Sequence, residues 1–276
     1  MKKRKMKYLI GDIIGLTVAF FVFIIPFMFI IFNSLKDTKE ANLLKFSLPD
    51  TLHFENYIEV ITAKDNLFLT SLKNSLILTV GSVIILVLVC SMAGYVIQRR
   101  RGRFMSFVNF LVMSGLMIPV AILPTIWVMQ GVHLYKTLTG MILLEVAFHT
   151  PLSIMLYRGF MANIPVELEE AARIDGCSPL RLFVKIIFPL LKPITSTIII
   201  LNAVTVFNDF MNPLYFLPGS ENSTIQLTLY TFMGQFSSSY NMVFADVVII
   251  TLPMLILFLI FNQKIVDGMV AGSVKG

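Results

Sequence analysis

Acidic and amide side chains within apolar segments are the features of this sequence that could carry chemistry. Asp209 lies in one apolar run, with Asn208 beside it and Asn212 three residues further on. In another run Glu145 and His149 are four residues apart, which places them on one face of a helix. Such groups at membrane depth are costly and mark transport paths or proton relays. We expect these five residues to line a polar path, or else to join helices by hydrogen bonds. The spacing further predicts a single helical face that carries Asn202, Thr205, Asp209 and Asn212.

Motifs for catalysis and for nucleotide or metal binding are absent from the sequence. It contains no G-x-x-x-x-G-K-[ST] phosphate loop, and no glycine is followed by lysine. The three histidines lack the spacing of metal ligands, and no serine or cysteine lies in a recognisable nucleophile motif. We therefore expect no enzymatic activity, and no metal or cofactor bound by this chain. If transport uses ATP, another chain must bind it.

The composition excludes a soluble protein. Of the 276 residues, 57% are hydrophobic and 14% are charged, against roughly 25% charged in a soluble domain. Apolar runs of about 20 residues, the length that crosses a bilayer, recur along the chain. We expect each to be a helix, because backbone groups in lipid must be satisfied within the segment. The sequence thus predicts an all-α integral membrane protein with a single domain over 1–276. Its six expected transmembrane helices are 13–32, 72–97, 104–129, 138–161, 194–217 and 244–262.

Lysine and arginine set the expected orientation of these spans. Sixteen of the 22 lie in the two terminal tails and in the second-to-third and fourth-to-fifth connections. Cytoplasmic segments carry such an excess. We therefore expect a multi-pass protein of the cytoplasmic membrane with both termini in the cytoplasm and with residues 218–243 outside. The net charge of +6 is explained by topology, so we expect no nucleic-acid partner.

The connection between the fourth and fifth spans, residues 162–193, predicts two short helices with a sharp corner. Glu169 and Arg173 have the spacing of an i,i+4 ion pair in the first helix. Gly176 suits the corner, because glycine adopts positive φ at little cost. Ser178 is expected to cap the second helix. The expected apolar face of that helix consists of Leu180, Phe183, Val184 and Ile187.

One motif in this connection resembles the EAA loop of importer permeases of the ATP-binding-cassette (ABC) class. Considered without it, the segment could be an ordinary amphipathic loop at the lipid headgroups. Glu170-Ala171-Ala172 is followed at the usual spacing by Gly176, Ile186 and Pro189, although Phe188 stands where leucine is common. In that family the first helix of the loop is the coupling helix, which sits in a cleft of the ATPase subunit. The resemblance implies ATPase-coupling roles for Glu170, Ala171, Ala172, Asp175 and Gly176.

Further short motifs, in order along the chain, resemble the maltose-type (MalG-like) carbohydrate permeases. They lie at residues 32–36, 48–49, 54–57, 207–214 and 272–276. The resemblance implies a type I ABC importer permease, with six transmembrane helices and a cytoplasmic helix-turn-helix coupling loop. It also implies three protein partners besides membrane lipid: a second homologous permease subunit, an ATP-binding-cassette ATPase dimer and an extracytoplasmic sugar-binding protein. The ATP would be bound by the ATPase.

These features together predict the permease subunit of an ATP-driven carbohydrate importer. The chain would form half of the translocation path and couple it to the separate ATPase. One alternative is a proton-coupled secondary transporter subunit, with Asp209 and Glu145 as the proton carriers. Another is a membrane-embedded enzyme that uses the same two acids. Both alternatives leave the ordered EAA loop unexplained, and the sequence does not specify the sugar.

Overall fold

Helices account for most of the described chain. The computed structural model describes the backbone of residues 2–231, 233 and 239–273, and the side chains of 11–231, 233 and 239–259. Parts of the expected external segment (232 and 234–238) and of the terminal motif (274–276) therefore lie outside the described residues. Contacts divide the chain into two compact units, namely Met1–Leu69 with Leu227–Pro253, and Thr70–Gln226 with Met254–Gly276. The single domain over 1–276 stays a prediction.

The first unit begins with a long helix, α1, in the position of the first expected span. Its pieces are Lys2–Ala19, the π-helical turn Phe20–Ile24, and Ile25–Ser34. Pro26 explains the wide turn, because it has no N–H with which to bond the carbonyl of Val22 one turn earlier. Helix α2 (Thr38–Asn42) follows. Helix α3 (Glu55–Arg99) starts in this unit and is interrupted by non-helical backbone at 63–66.

Buried polar residues of two motifs, 32–36 and 54–57, fix the chain after α1. Asn56 Nδ2 donates hydrogen bonds to the backbone oxygens of Ser34, at 2.8 Å, and Lys36, at 2.9 Å. The hydroxyls of Ser34 and Tyr57 are 2.7 Å apart. The buried ammonium of Lys36 donates to three oxygens at 2.9 to 3.3 Å. Because a buried polar group is stable only when it is hydrogen-bonded, these motif residues have a structural role.

The second unit contains the loop and the polar residues that the sequence singled out. Its helices after α3 are α4 (Arg103–Met117), α5 (Ile122–Gly131), α6 (Leu138–Met161), α7 (Glu167–Ile174), α8 (Pro179–Leu182, the π-helical Phe183–Ile187, and Phe188–Leu190), α9 (Lys192–Phe207) and α10 (Met211–Phe216). A 3-10 helix (Ile225–Thr231) and helix α11 (Tyr240–Ser273) complete the described chain. The core of this unit is formed by fully buried side chains of α3, α6, α8 and α9, including Leu86, Cys90, Tyr157, Met161, Ile187 and Ile198.

Several helices are long and apolar enough to cross a membrane. Within the described chain these are Gly11–Ser34, Glu55–Arg99, Leu138–Met161 and Tyr240–Leu259. They correspond to the first, second, fourth and sixth expected spans, and the fourth has the predicted bounds. A further pair, Pro179–Leu190 and Lys192–Phe207, meets the same criteria only when both helices are taken together, across a bend of 75°.

The third expected span, 104–129, is divided between α4 and α5. The interruption follows from Pro119, because the residue before a proline is disfavoured in the helical region. Ile118 accordingly has extended backbone angles, with φ −85° and ψ 118°. The chain becomes helical again at Ile122.

The fifth expected span, 194–217, is divided between α9 and α10. Pro213 explains this break. In a continuous helix its ring would clash with the carbonyl of Asp209, and because proline has no N–H it could not donate a hydrogen bond to that carbonyl. Helix α9 therefore ends at Phe207, and α10 begins at Met211. The prediction of one continuous helical face from Asn202 to Asn212 is wrong.

Candidate functional site

The corner between α7 and α8 is a Schellman motif. Gly176 has φ +74°, so the positive φ predicted for this glycine is confirmed. The N–H of Gly176 donates to the oxygen of Arg173 at 3.1 Å, and the N–H of Cys177 donates to the oxygen of Ala172 at 2.9 Å. These two bonds satisfy carbonyls at the end of α7 that have no partner within the helix. The corner therefore fixes the direction in which the chain leaves α7.

Glu169 attaches α7 to the end of α3. Its side chain is 1% exposed, and its Oε1 lies 2.5 Å from Nε of Arg99. The hydroxyl of Tyr95 donates to the other carboxylate oxygen at 2.8 Å. Arg99 also donates to the backbone oxygen of Ile164 at 2.7 Å. The expected i,i+4 contact with Arg173 is present but long, at 3.8 Å. The main role of Glu169 is thus a buried connection between two elements.

The opposite side of α7 is left exposed by the described part of the chain. Glu170, Ala171, Asp175 and Gly176 are exposed, and Ile174 is 86% exposed. Ala172 differs from them, because it is 7% exposed and belongs to the hydrophobic core. A larger side chain at Ala172 would therefore disturb the packing of this chain before it reached any partner. Four of the five expected coupling residues lie on an accessible surface, which we call the outer side of α7.

Helix α8 packs through a face that only partly matches the one expected, since Phe183 and Ile187 are buried as predicted. The buried side chains are Leu182, Phe183 and Ile187, whereas Leu180 and Val184 are exposed. The π-helical turn Phe183–Ile187 changes the spacing of side chains around the helix, so a periodicity of 3.6 residues fails here. Ser178 precedes the helix, but its side chain makes no capping hydrogen bond, so that prediction is also wrong.

Asp209 lies at the break between α9 and α10 and caps α10. Its Oδ1 accepts a hydrogen bond from the backbone N–H of Asn212 at 3.2 Å. Its Oδ2 accepts one from the side-chain amide of Asn212 at 2.6 Å. Both side chains are half-buried, while the adjacent Asn208 is exposed. Asp209 therefore lies in the non-helical segment between α9 and α10, and one side of this segment is exposed.

Glu145 and His149 form a second polar group on α6. Glu145 is fully buried, and its Oε2 lies 3.2 Å from Nε2 of the partly exposed His149. This contact lacks hydrogen-bond geometry, so neither carboxyl oxygen of Glu145 has a hydrogen-bond partner within the described chain. Asp209 lies close enough for its carboxylate to act on Glu145 electrostatically. The structure thus brings together Glu145, His149, Asp209 and Asn212, which the sequence had placed on two separate spans.

Other amides extend this polar group. The side chain of Asn208 accepts a hydrogen bond from Gln226 at 3.2 Å. The buried Asn202 donates to the hydroxyl of Ser153 at 3.3 Å and to the backbone oxygen of Ile198 at 2.8 Å. Asn202 therefore joins α9 to α6 by a hydrogen bond. This agrees with the alternative expectation that some of the polar residues hold helices together. Among the described residues, no group of three or more histidine, cysteine or acidic side chains could hold a metal ion.

Sequence reasoning missed Tyr95, Arg99 and Ile174 as residues of the α7–α8 loop and its support, and it paired Glu169 only with Arg173. Tyr95 and Arg99 are four residues apart, which was a signal that they share one face at the end of the second span. The partner of this pair lies 70 residues away from Arg99, and no local pattern identifies it. Ile174 was detectable as an apolar residue on an otherwise polar stretch.

Comparisons with known proteins cover nearly the whole chain. The model of a family described as "Binding-protein-dependent transport system inner membrane component" matches residues 87–269. The multiple sugar-binding transport system permease protein MsmG of Streptococcus mutans is 33% identical over 281 residues, which is 100% of each chain. The melibiose/raffinose/stachyose import permease protein MelC of Bacillus subtilis is 33% identical over 257 residues, or 91% of each chain. The probable starch degradation products transport system permease protein AmyC of Thermoanaerobacterium thermosulfurigenes is 31% identical over 277 residues, or 99% of each chain.

A solved structure has the same fold. It is a chain of a bacterial ABC transporter involved in the import of the acidic polysaccharide alginate, with a TM-score of 0.82. The superposition covers 95% of this chain and 98% of that one, at 22% sequence identity. At this identity the similarity shows a shared fold and nothing about the ligand.

Proposed function

This chain belongs to the family of binding-protein-dependent transport system inner membrane components, and we propose that it couples ATP hydrolysis on a separate subunit to carbohydrate import. The family resemblance indicated by the sequence motifs is confirmed, and so is the all-α permease fold. The chain is a multi-pass component of a membrane transporter and not an enzyme. Membership of a binding-protein-dependent family favours ATP-driven import over the proton-coupled alternative. The outer side of α7 is the observation that carries the coupling proposal.

The outer side of α7 supports docking to an ATPase. Ile174, which is 86% exposed between charged neighbours, adds an apolar side chain to this accessible side of the helix. The Schellman motif at Gly176 and the buried ion pair of Glu169 with Arg99 hold the helix firmly against α3 and α8. A firmly held helix transmits displacement to the helices behind it. We assign Glu170, Ala171, Asp175 and Gly176, together with Ile174, to the ATPase contact.

The polar group around Asp209 supports a role in the translocation path. Thr205 is exposed on α9 and Asn208 is exposed just after its end, so the described part of the chain leaves a polar surface uncovered here. A second, homologous permease subunit would cover that surface and complete the path. Glu145, His149, Asp209 and Asn212 would then lie at the boundary between the two subunits.

Neutral oligosaccharides are the proposed cargo. The relatives described above are named for starch degradation products, for multiple sugars, and for melibiose, raffinose and stachyose. Hydroxyl groups of such sugars can hydrogen-bond to the amides and carboxylates of the polar group. Asp209, which is half-buried beside the accessible break, would repel an acidic sugar, because like charges disfavour each other.

The proposal also includes the orientation of the chain in the membrane. The distribution of lysine and arginine supports cytoplasmic termini and a cytoplasmic position for the α7–α8 loop, where the ATPase dimer would bind. Residues 218–243, which lack both residue types, would face the extracytoplasmic sugar-binding protein. ATP would be bound by the ATPase dimer and by no site on this chain.

The decisive experiment combines co-purification with transport. Tagged wild-type chain should retain an ATPase subunit, and vesicles that contain the complex should take up a labelled oligosaccharide only when ATP and the binding protein are supplied. Ile174→Asp should release the ATPase. Leu52→Asp is the matched control, because Leu52 is 59% exposed on the segment expected outside. Retention of the ATPase by the Ile174 variant, or uptake that an uncoupler abolishes while ATP is held constant, would contradict the proposal.

A further inference from the structure

A pocket lies where α3 ends and α4 begins, at one boundary of the expected membrane region. It has a volume of about 370 Å³, within the range of sites that hold small ligands, roughly 300 to 1,000 Å³. Its lining comes from the ends of α3, α4 and α6 and from the turn between the first two. The lining residues are Ile97, Gln98, Arg100, Arg101, Gly102, Met105, Ser106, Asn109 and Arg158. We call this cavity the basic pocket.

The positive charge of the basic pocket is not balanced by any acid in its lining. Arg158 donates to Oε1 of Gln98 at 3.1 Å and to Oδ1 of Asn109, and both acceptors are neutral amides. The ion pairs found within the described chain include none of the three arginines that line the pocket. Arg99, one residue before them, is by contrast paired with the buried Glu169. The structure therefore uses one arginine of this run internally and leaves the lining arginines to an external anion.

The turn that forms the mouth of the pocket depends on Gly102. Its backbone angles, φ +134° and ψ 163°, lie in a region that is essentially restricted to glycine. The oxygen of Gly102 accepts the first hydrogen bond of α4, from the N–H of Ser106 at 3.0 Å. Because the turn is tight, Arg100 and Arg101 lie at the mouth of the pocket while Arg158 is held inside it.

An apolar surface continues from the basic pocket along α4. Phe110 lies one turn beyond Ser106 on the same side of the helix, about 6 Å deeper along its axis. Its side chain is 64% exposed, and Phe107 and Leu111 beside it are also exposed. A ligand with a phosphate group and acyl chains could therefore place its charge among the arginines and its chains along α4. Free phosphate would use only the first of these features.

We propose that the basic pocket binds the phosphate headgroup of an anionic phospholipid. The guanidinium groups of Arg100, Arg101 and Arg158 would donate charge-assisted hydrogen bonds to the phosphate oxygens. Basic pockets between transmembrane helices at the cytoplasmic surface have the chemistry that such headgroups require. Occupation would join α3, α4 and α6 just beyond Arg99, the residue that holds α7. The bound lipid would thereby stabilise the support of the coupling helix.

Native mass spectrometry of the purified full-length chain tests this proposal. The chain in detergent is titrated with phosphatidylglycerol, with phosphatidylcholine, and with inorganic phosphate. We expect phosphatidylglycerol to be retained in preference to the other two. The double variant Arg100→Gln with Arg101→Gln should weaken its retention by about tenfold or more, since it removes charge-assisted hydrogen bonds to the phosphate that each contribute roughly tenfold. Both residues are exposed, so we expect the variant to fold normally.

The matched control is Arg103→Gln, which removes an exposed arginine of the same connection that does not line the pocket. This variant should retain phosphatidylglycerol within about twofold of wild type, because it leaves the lining charges unchanged. An equal loss in the control would show a diffuse surface effect and would overturn the proposal. Inorganic phosphate that binds as well as the lipid would identify a site for a free anion instead. Unchanged retention of phosphatidylglycerol in the double variant would also overturn the proposal.

Discussion

Removing the charge of Glu169 should detach α7 from α3 while the rest of the bundle remains folded. The carboxylate is 1% exposed and contacts Arg99, whose side chain is 14% exposed, so this is a buried ion pair. Breaking such a pair from one side costs about 3 to 5 kcal/mol, because the other charge stays buried without a partner. Glutamine keeps one oxygen that can accept a hydrogen bond from Arg99 or Tyr95. We therefore expect Glu169→Gln to lower the free energy of unfolding by about 3 kcal/mol, at the lower end of that range.

Unfolding of the purified chain in mixed detergent micelles measures this loss. Glu170→Gln is the matched control, because it is the same substitution one residue later at an exposed position. Its effect on the free energy of unfolding should stay within about 0.5 kcal/mol. A double-mutant cycle with Arg99→Gln should give an interaction energy of about 2 to 3 kcal/mol, since the two residues are in direct contact.

Two results would refute this reasoning. Equal losses of stability in Glu169→Gln and Glu170→Gln would show that burial of the first carboxylate has no energetic consequence. Additive effects in the cycle would show that Arg99 and Glu169 do not interact. If the reasoning holds, the Glu169 variant in the assembled transporter should hydrolyse ATP with little uptake, because α7 would move without carrying α3 with it.

The remaining predictions concern the corner, the polar group and the topology. Gly176→Val should destabilise the corner by about 1 to 2 kcal/mol, because a β-branched residue resists positive φ; sugar uptake should fall more than ATP hydrolysis, and Gly176→Asn should be milder. Asp209→Asn keeps the cap of α10 but removes its charge, and Asn212→Leu removes the amide that Asp209 contacts. Both should lower uptake several-fold in a complex that still assembles, and normal uptake in both would leave the group without a transport role. With Cys90 and Cys177 replaced by alanine, a single cysteine at Ser106 or at position 264 should react with an impermeant thiol reagent only from the cytoplasm, and one at Ser220 only from outside. Labelling of Ser220 from the cytoplasm would reverse the orientation or remove a span.

Hydropathy alone predicted the helix over Leu138–Met161, because an uninterrupted apolar run leaves the backbone no other way to satisfy its polar groups. The positive φ of Gly176 was also predicted from the sequence, since the requirement for it is local. The breaks at Ile118 and Asp209 were also encoded locally, by Pro119 and Pro213, but hydropathy averages over a proline and so concealed them. These prolines changed which residues can share a helical face.

The ion pair of Glu169 with Arg99 and the proximity of Asp209 to Glu145 could not be predicted from a local pattern. Each joins residues that are more than 60 positions apart, and only the packing of helices brings them together. The prediction of the apolar face of α8 was wrong in part for another reason. A periodicity of 3.6 residues assigned Leu180 and Val184 to the core, but both are exposed, and Leu182 is buried instead, beside the π-helical turn before Pro189. A proline in the last turn of a short amphipathic helix is a reason to test this shifted register.

The bend between α8 and α9 joins two helices of unequal length. The two helices meet at the buried Leu191 at an angle of 75°, and the backbone N–H of Leu191 bonds to oxygens of α8 at 3.1 Å. Helix α8, Pro179–Leu190, is about 18 Å long at 1.5 Å per residue, and helix α9, Lys192–Phe207, is about 24 Å long. A rotation of about 5° around Leu191 would therefore displace the end of α9 by about 2 Å. That end lies beside Asp209, so if the two helices turn together, a small tilt imposed near Gly176 would reach the break in the fifth span as a larger displacement.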